Sequence, residues 1–221
     1  MTVTLIANVK EKIMANKKVL MALLLGALVA GGVFAQPAFK MSVGGGGLLE
    51  LGTSGGGKFS GHAVDMYLPA VAGGGFAFFD ATYAEASFGF AGGFARIMSE
   101  GSPNRDMSVL QLNLSLLGKY PFELTEKFTL FPLLGIGYQI TLSVKDDDGN
   151  KMEPASDLNA LWFKLGVGGD YSFTDNIYLR FSALFGIRTK TQVEKDMIDD
   201  YGADSVLGTG ITAKIAVGYR F

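Results

Sequence analysis

The chain has no cysteine, one histidine, one tryptophan and six prolines in 221 residues. Lacking Cys, it can form no disulfide framework, thiolate zinc site or iron–sulfur cluster, and it has no sulfur to carry a lipid anchor. Neither sign of charge dominates. The 19 Lys and Arg stand against 21 Asp and Glu, a net of −2, so the basic footprint of a nucleic-acid-binding protein is missing. Beyond residue 35 no apolar run is long enough for a spanning helix. What the chain does have is 31 Gly and 17 Phe within a 48% hydrophobic composition. So much apolar surface excludes disorder. So much Gly weakens helices but suits a tightly curved sheet.

The first segment reads as a targeting signal. Lys17 and Lys18 precede the apolar run 19–30, which is followed by Gly31-Gly32 and Val33-Phe34-Ala35. A basic start, a short apolar stretch and a small-residue end make a secretory signal peptide. Cleavage is expected after Ala35, giving a signal over 1–35 and one domain over 36–221. Met14 offers a second, more ordinary start. The removed segment carries Lys10, Lys12, Lys17, Lys18 and Glu11, a net of +3, so the mature chain moves from −2 to −5.

The rest alternates at period two, the spacing of strands rather than helices. Eight segments show it: 38–51, 64–79, 83–97, 107–120, 128–144, 159–173, 177–190 and the C-terminal run to Phe221. In the clearest, Leu110, Leu112, Leu114, Leu116 and Tyr120 oppose Gln111, Asn113, Ser115, Leu117 and Lys119. In 128–144 the apolar face holds Leu134, Ile136, Tyr138, Ile140, Leu142 and Val144. In 64–79 it holds Ala70, Ala72, Phe76 and Phe78, against Asp65, Gly73 and Gly75. Short links at 80–82, 121–127 and 174–176 alternate with longer polar ones at 52–62, 99–106, 145–157 and 193–207.

Such a pattern predicts an all-β fold: an eight-stranded antiparallel transmembrane β-barrel with its long loops outside and both termini periplasmic. The opposite face of the strands has too few charges for a solvated outside. It has too many for a dry core. Lumen-lining residues are expected to include Lys164, Arg180, Arg188, Lys214, Glu50 and Asp65, with the paired glycines 44/46, 73/75, 135/137, 166/168 and 208/210 also facing in. Inward cations outnumber inward acids in this register, so any open path is expected to favour anions. A plug of ion pairs is the competing use of the same charges.

No catalytic or metal motif completes. His62 lies near Ser60 and Asp65, but alternation sends His62 and Asp65 to opposite faces. Asp146-Asp147-Asp148-Gly149-Asn150 lacks the acidic residue a calcium loop needs at its end, and reads instead as a hairpin tip. The glycine runs lack a phosphate-loop ending. The expectation is a non-enzyme without cofactor.

The final segment, Val217-Gly218-Tyr219-Arg220-Phe221, resembles the C-terminal strand of bacterial outer-membrane barrels. The resemblance marks Tyr219 and Phe221 as the signal read by the barrel-assembly machinery. Together with Pro132-Leu133-Leu134-Gly135-Ile136-Gly137-Tyr138 and Asn176-Ile177-Tyr178-Leu179-Arg180, it is similar to the small OmpW type. That family implies a narrow barrel that admits small, often hydrophobic molecules. The function expected is a channel or uptake path for small hydrophobic or anionic molecules. The alternative is a non-conducting surface barrel whose acidic loops bind host or neighbouring molecules. Outer-membrane lipid and a small solute are the partners implied, with no nucleic acid.

Overall fold

The structure, a computed structural model, describes residues 39–221 apart from 56, 60–61, 65–69, 98–104, 152–154, 193–194 and 196–206. The expected signal segment, 1–35, lies outside the described residues, as does Asp65.

Eight long strands run in chain order: β1 (Met41–Gly55), β2 (Ala70–Ala81), β3 (Ala84–Ile97), β4 (Arg105–Lys119), β5 (Phe128–Lys145), β6 (Ala160–Ser172), β7 (Ile177–Arg188) and β8 (Leu207–Arg220). Each pairs antiparallel with its neighbour, and β1 pairs with β8, so the sheet closes on itself and leaves no edge. Stepping from partner to partner, Ser42 leads through Asp80, Glu85, Leu117, Gly135, Lys164, Gly186 and Gly210 to Gly52. The circuit thus closes from residue 42 to residue 52, and this stagger tilts the strands by roughly 35–45°, as closure requires.

The wall is apolar outside. Leu49, Phe79, Phe88, Leu114, Ile136, Phe163, Phe181 and Ile215, one from each strand, are all exposed. Adjacent residues show the alternation sharply: Leu133 is 3% exposed and Leu134 is 70% exposed. A barrel made for water would bury such side chains; this one turns them outward to lipid and keeps its charges inside. Aromatic side chains gather at the end with short turns. Ring centres of Tyr83 and Tyr120 lie 6.0 Å apart and those of Tyr120 and Phe122 5.2 Å apart, both tilted, while Tyr171 meets Phe173 edge to face at 5.4 Å. They form the belt expected at a membrane interface.

Three expectations are corrected. In β2 the face is inverted: Phe76 and Phe78 are buried inside, while Gly73 and Gly75 face out. Asp80, expected in a turn, belongs to β2 and points inward, and the turn is Thr82–Tyr83. Val144 is only 1% exposed, where the lipid face was expected. The reason is a bulge. Leu110 faces Ser143 but Gln111 faces Thr141, so Leu142 is an extra residue and the faces switch beyond it.

Candidate functional site

The lumen is built in three storeys. The lowest centres on Arg180, which β7 points inward. Its guanidinium donates from Nε to Asp170 Oδ1 and from Nη2 to Asp170 Oδ2, each at 2.8 Å. It also donates to Glu85 Oε2 at 2.9 Å and to Asp80 Oδ2 at 3.1 Å. Lys119 pairs with Asp80 at 2.5 Å, and Lys214 approaches Glu85 at 3.8 Å. Three carboxylates therefore meet three cations, all nearly sealed from solvent. Buried charge persists only when paired in this way.

Aromatic rings close the same storey. The guanidinium lies 4.8 Å from the Phe78 ring centre, 5.1 Å from Phe131 and 5.2 Å from Tyr178. Cations over ring faces are attracted by the ring quadrupole. The rings fit because of glycines. A methyl on Gly44 would strike Phe78, one on Gly168 would strike Phe131, and one on Gly218 would strike Tyr178. The inward glycines are sockets for the rings that pack around Arg180. Tyr178 is fixed further by a 2.7 Å hydrogen bond with Ser42.

The middle storey holds Lys214 and Lys164. Lys214 donates to Ser87 Oγ at 3.1 Å and sits 4.8 Å from the Phe76 ring centre. Lys164 lies 4.0 Å from Glu50. Glu50 also accepts from Gln111 at 2.5 Å, from Asn113 at 3.1 Å and from Thr212 at 3.5 Å. Counted across the two storeys, Arg180, Lys119, Lys164, Lys214 and Arg220, the last 3.4 Å from Asp170, face Asp80, Glu85, Asp170 and Glu50, five against four. The cationic excess in these two storeys is therefore one charge. Asp80, misread as a turn residue, accounts for the smaller margin. Lys40 pairs with Glu123 at 3.6 Å.

Above Glu50 and Lys164 the lumen opens into a cavity of about 170 Å³. Trp162, Gln139, Thr141, Arg188 and Leu158 are among its walls. Trp162 donates from Nε1 to Gln139 Oε1 at 3.0 Å. A short 3-10 turn, Ala155–Leu158, comes down from the loop between β5 and β6 and accepts a hydrogen bond from Thr141 Oγ1 at its Leu158 carbonyl, 3.4 Å long. Sequence reasoning missed Trp162, Gln139 and Gln111. All three alternate into the lumen, but polarity without charge drew no notice.

The other expected site residues scatter. His62 falls in a two-stranded sheet of His62–Val64 with Gly57–Phe59, separate from the barrel sheet. Asp146 caps its own loop: Oδ1 accepts from Asn150 N at 2.8 Å and from Asp148 N at 3.1 Å. These backbone donors hold its carboxyl below the usual carboxylate range. Gly149 beside it takes a φ of 81°, so the segment is a turn. Among the described residues, no group of acids or His is placed to hold a metal.

A closed wall that is apolar outside and charged inside defines a transmembrane β-barrel. Eight strands joined by short turns at one end and long loops at the other make it one of the bacterial outer membrane. No protein-family model and no curated protein matches the chain. Solved structures do resemble it. The outer membrane protein OprG from Pseudomonas aeruginosa is 14% identical over 85% of this chain and 98% of its own, with a TM-score of 0.47. A major outer membrane protein from Thermus thermophilus is 14% identical over 84% and 100%, with a TM-score of 0.43. Neisserial surface protein A is 12% identical over 85% and 100%, with a TM-score of 0.40. Likenesses this loose carry no functional argument. The class rests on the barrel's own wall.

Proposed function

We propose that the protein is an uptake barrel whose outer half receives a small molecule and whose inner half is shut at rest. The observation that supports this reading is the cavity above Glu50 and Lys164, set over the Arg180 cluster. A solute arriving from outside meets a walled chamber. Below it the rings and paired charges around Arg180 are buried, so in this reading passage needs the Arg180 contacts to part. The OmpW-like features of the sequence agree with small solutes rather than large ones. In this reading Tyr219 and Phe221 serve assembly, with outer-membrane lipid and the assembly machinery as partners.

The sealed lower storey favours a second reading, a non-conducting surface barrel whose loops bind host or neighbouring molecules. A thiol placed in the chamber by Ala72→Cys separates the two when whole cells are treated with a membrane-impermeant thiol reagent. Labelling from outside supports entry. A thiol that stays unlabelled until the barrel is unfolded favours the surface-binding reading. Planar bilayers add the second half of the test: closed records with brief openings agree with a shut inner half, and a steady open level contradicts it.

A further inference from the structure

Two amides in the chamber wall are only half used. Gln111 is 7% exposed and gives its Nε2 to Glu50. Among the described residues, its Oε1 accepts no hydrogen bond. Gln139 accepts from Trp162 Nε1 through its Oε1 at 3.0 Å. Among the described residues, its Nε2 donates none. Both side chains line the cavity. Gln111 stands opposite Thr141, and Asn113 stands opposite Gln139, so the two glutamines are diagonal neighbours on β4 and β5. Such neighbours lie about 7–8 Å apart, within reach of long side chains. The wall thus presents an acceptor beside a donor, the pair of groups that a carboxamide matches with its own N–H and C=O.

Trp162 adds a flat surface. The benzo edge of its indole lies over Gly186, where a methyl would meet Cε3 at 2.8 Å and Cζ3 at 3.3 Å. The bond to Gln139 holds the nitrogen end. The indole also lines the cavity, and a ring fixed at both ends beside open space is a stacking surface for another ring. The cavity measures about 170 Å³, and an apolar cavity of about 150 Å³ holds one benzene ring. Room therefore exists for one ring with a small substituent. The charged side chains of the wall are engaged within the chain. Glu50 accepts from Gln111, Asn113 and Thr212 and lies 4.0 Å from Lys164. Arg188 donates to the Thr189 carbonyl and has further partners. The two unmet groups, the Gln111 oxygen and the Gln139 nitrogen, are uncharged. We infer that the outer chamber binds a neutral monocyclic aromatic carboxamide. Its ring lies against Trp162, its carbonyl accepts from Gln139 and its N–H donates to Gln111. This inference rests on the uptake reading and names the solute class.

Trp162 is the chain's single tryptophan, so intrinsic fluorescence reports directly on the site. The full chain, folded in detergent micelles, is titrated with benzamide. A saturable change in emission is expected. N,N-dimethylbenzamide has no N–H for Gln111 and should bind roughly threefold to tenfold more weakly, the worth of one neutral hydrogen bond. Toluene, the ring without the amide, and cyclohexanecarboxamide, the amide without a planar ring, should each bind more weakly than benzamide. Gln139→Met removes the donor, and the preference for benzamide over toluene should shrink by a similar factor. Taking the ratio of the two ligands cancels any shift of the indole. Barrel formation in the variant is checked by heat-modifiable gel mobility. The ligand series needs only the unsubstituted barrel, so it decides the matter even if the variant fails to fold. Linear, unsaturable change overturns the inference. So does any of the three comparison ligands binding as tightly as benzamide, or an unchanged preference in a folded Gln139→Met barrel. Benzoate binding more tightly than benzamide would overturn the neutral class. Labelling of Ala72→Cys from outside, with no benzamide binding, leaves solute entry standing and removes only the aromatic carboxamide.

Discussion

Arg180 and Asp170 face each other across β7 and β6 and are joined by two parallel hydrogen bonds of 2.8 Å. On the far side of the lumen Asp80 and Glu85 also face each other, across β2 and β3. Like charges placed directly opposite repel. The pair is held because Arg180 reaches both carboxylates, with Lys119 on one and Lys214 near the other. One guanidinium thus ties β7 to β6, β2 and β3, through the middle of the barrel. Arg180→Gln should remove this tie and leave the Asp80–Glu85 pair to the two lysines. A loss of about 3–5 kcal/mol in unfolding free energy follows from breaking a buried ion pair, measured by urea titration in micelles. Adding Glu85→Gln should recover part of it by relieving the opposed pair. If the double variant is no more stable than the single, the repulsion argument fails.

The orientation of the wall can be tested where the sequence is clear. Leu114 faces lipid and Ser115 faces in. An Arg at Leu114 should cost roughly 2–4 kcal/mol at the membrane midplane, and an Arg at Ser115 less. In β2 the same test discriminates between the expected and the observed face. Ala77→Arg places charge in lipid and should block folding into vesicles more than Ala72→Arg, which points to the chamber. Ala72→Arg blocking folding more than Ala77→Arg would restore the face expected from sequence, and equal yields would support neither face.

That strand shows where the sequence stopped being legible. Alternation identified all eight strands, and it placed Lys164, Arg180 and Lys214 inward because each stands among apolar neighbours two apart. It failed in 70–81, where Gly73-Gly74-Gly75 runs into Phe76-Ala77-Phe78-Phe79. Glycine and phenylalanine are both permitted on either face of a barrel, so hydrophobicity alone cannot choose. The choice is made by partners far along the chain. Phe78 needs the space left by Gly44 and the charge of Arg180, and Phe76 needs Lys214. Val144 was misplaced for another reason: one extra residue, Leu142, reverses the faces, and no local residue type announces it. The chamber was illegible because its polar walls, Gln111, Gln139 and Trp162, converge only when the barrel closes.

The glycine sockets should be intolerant of small additions. Gly168→Ala puts a methyl against the Phe131 ring, whose atoms are its three nearest contacts, and overpacking of this kind costs about 1–3 kcal/mol. Gly47, on the lipid side, meets only one backbone oxygen at 3.8 Å, so Gly47→Ala should be nearly silent. Stability of the pair in one urea series decides it. A Gly168→Ala barrel as stable as Gly47→Ala would mean that the Phe131 ring beside Arg180 can move aside freely.

The turn at Asp146 should open in acid. Its carboxylate accepts backbone hydrogen bonds from Asn150 and Asp148, and these hold its pKa below the ordinary value. A carboxyl whose folded pKa is depressed favours the ordered form above its unfolded pKa, and that preference fades as pH falls through the folded pKa. The turn is therefore expected to be ordered at neutral pH and to loosen in the acid range, below the ordinary Asp value of about 3.9. Amide exchange at Asn150, followed by NMR in micelles, is the measurement. Protection at neutral pH that disappears on acidification, and that is already lost in Asp146→Ala, is the expected result. Asp146→Asn should be intermediate, because its side-chain oxygen still accepts but carries no charge. Because the group is fully exposed, the effect should stay local and leave barrel stability unchanged. Protection of Asn150 that persists unchanged to low pH would show that the backbone turn at Gly149, rather than the carboxylate, orders this loop.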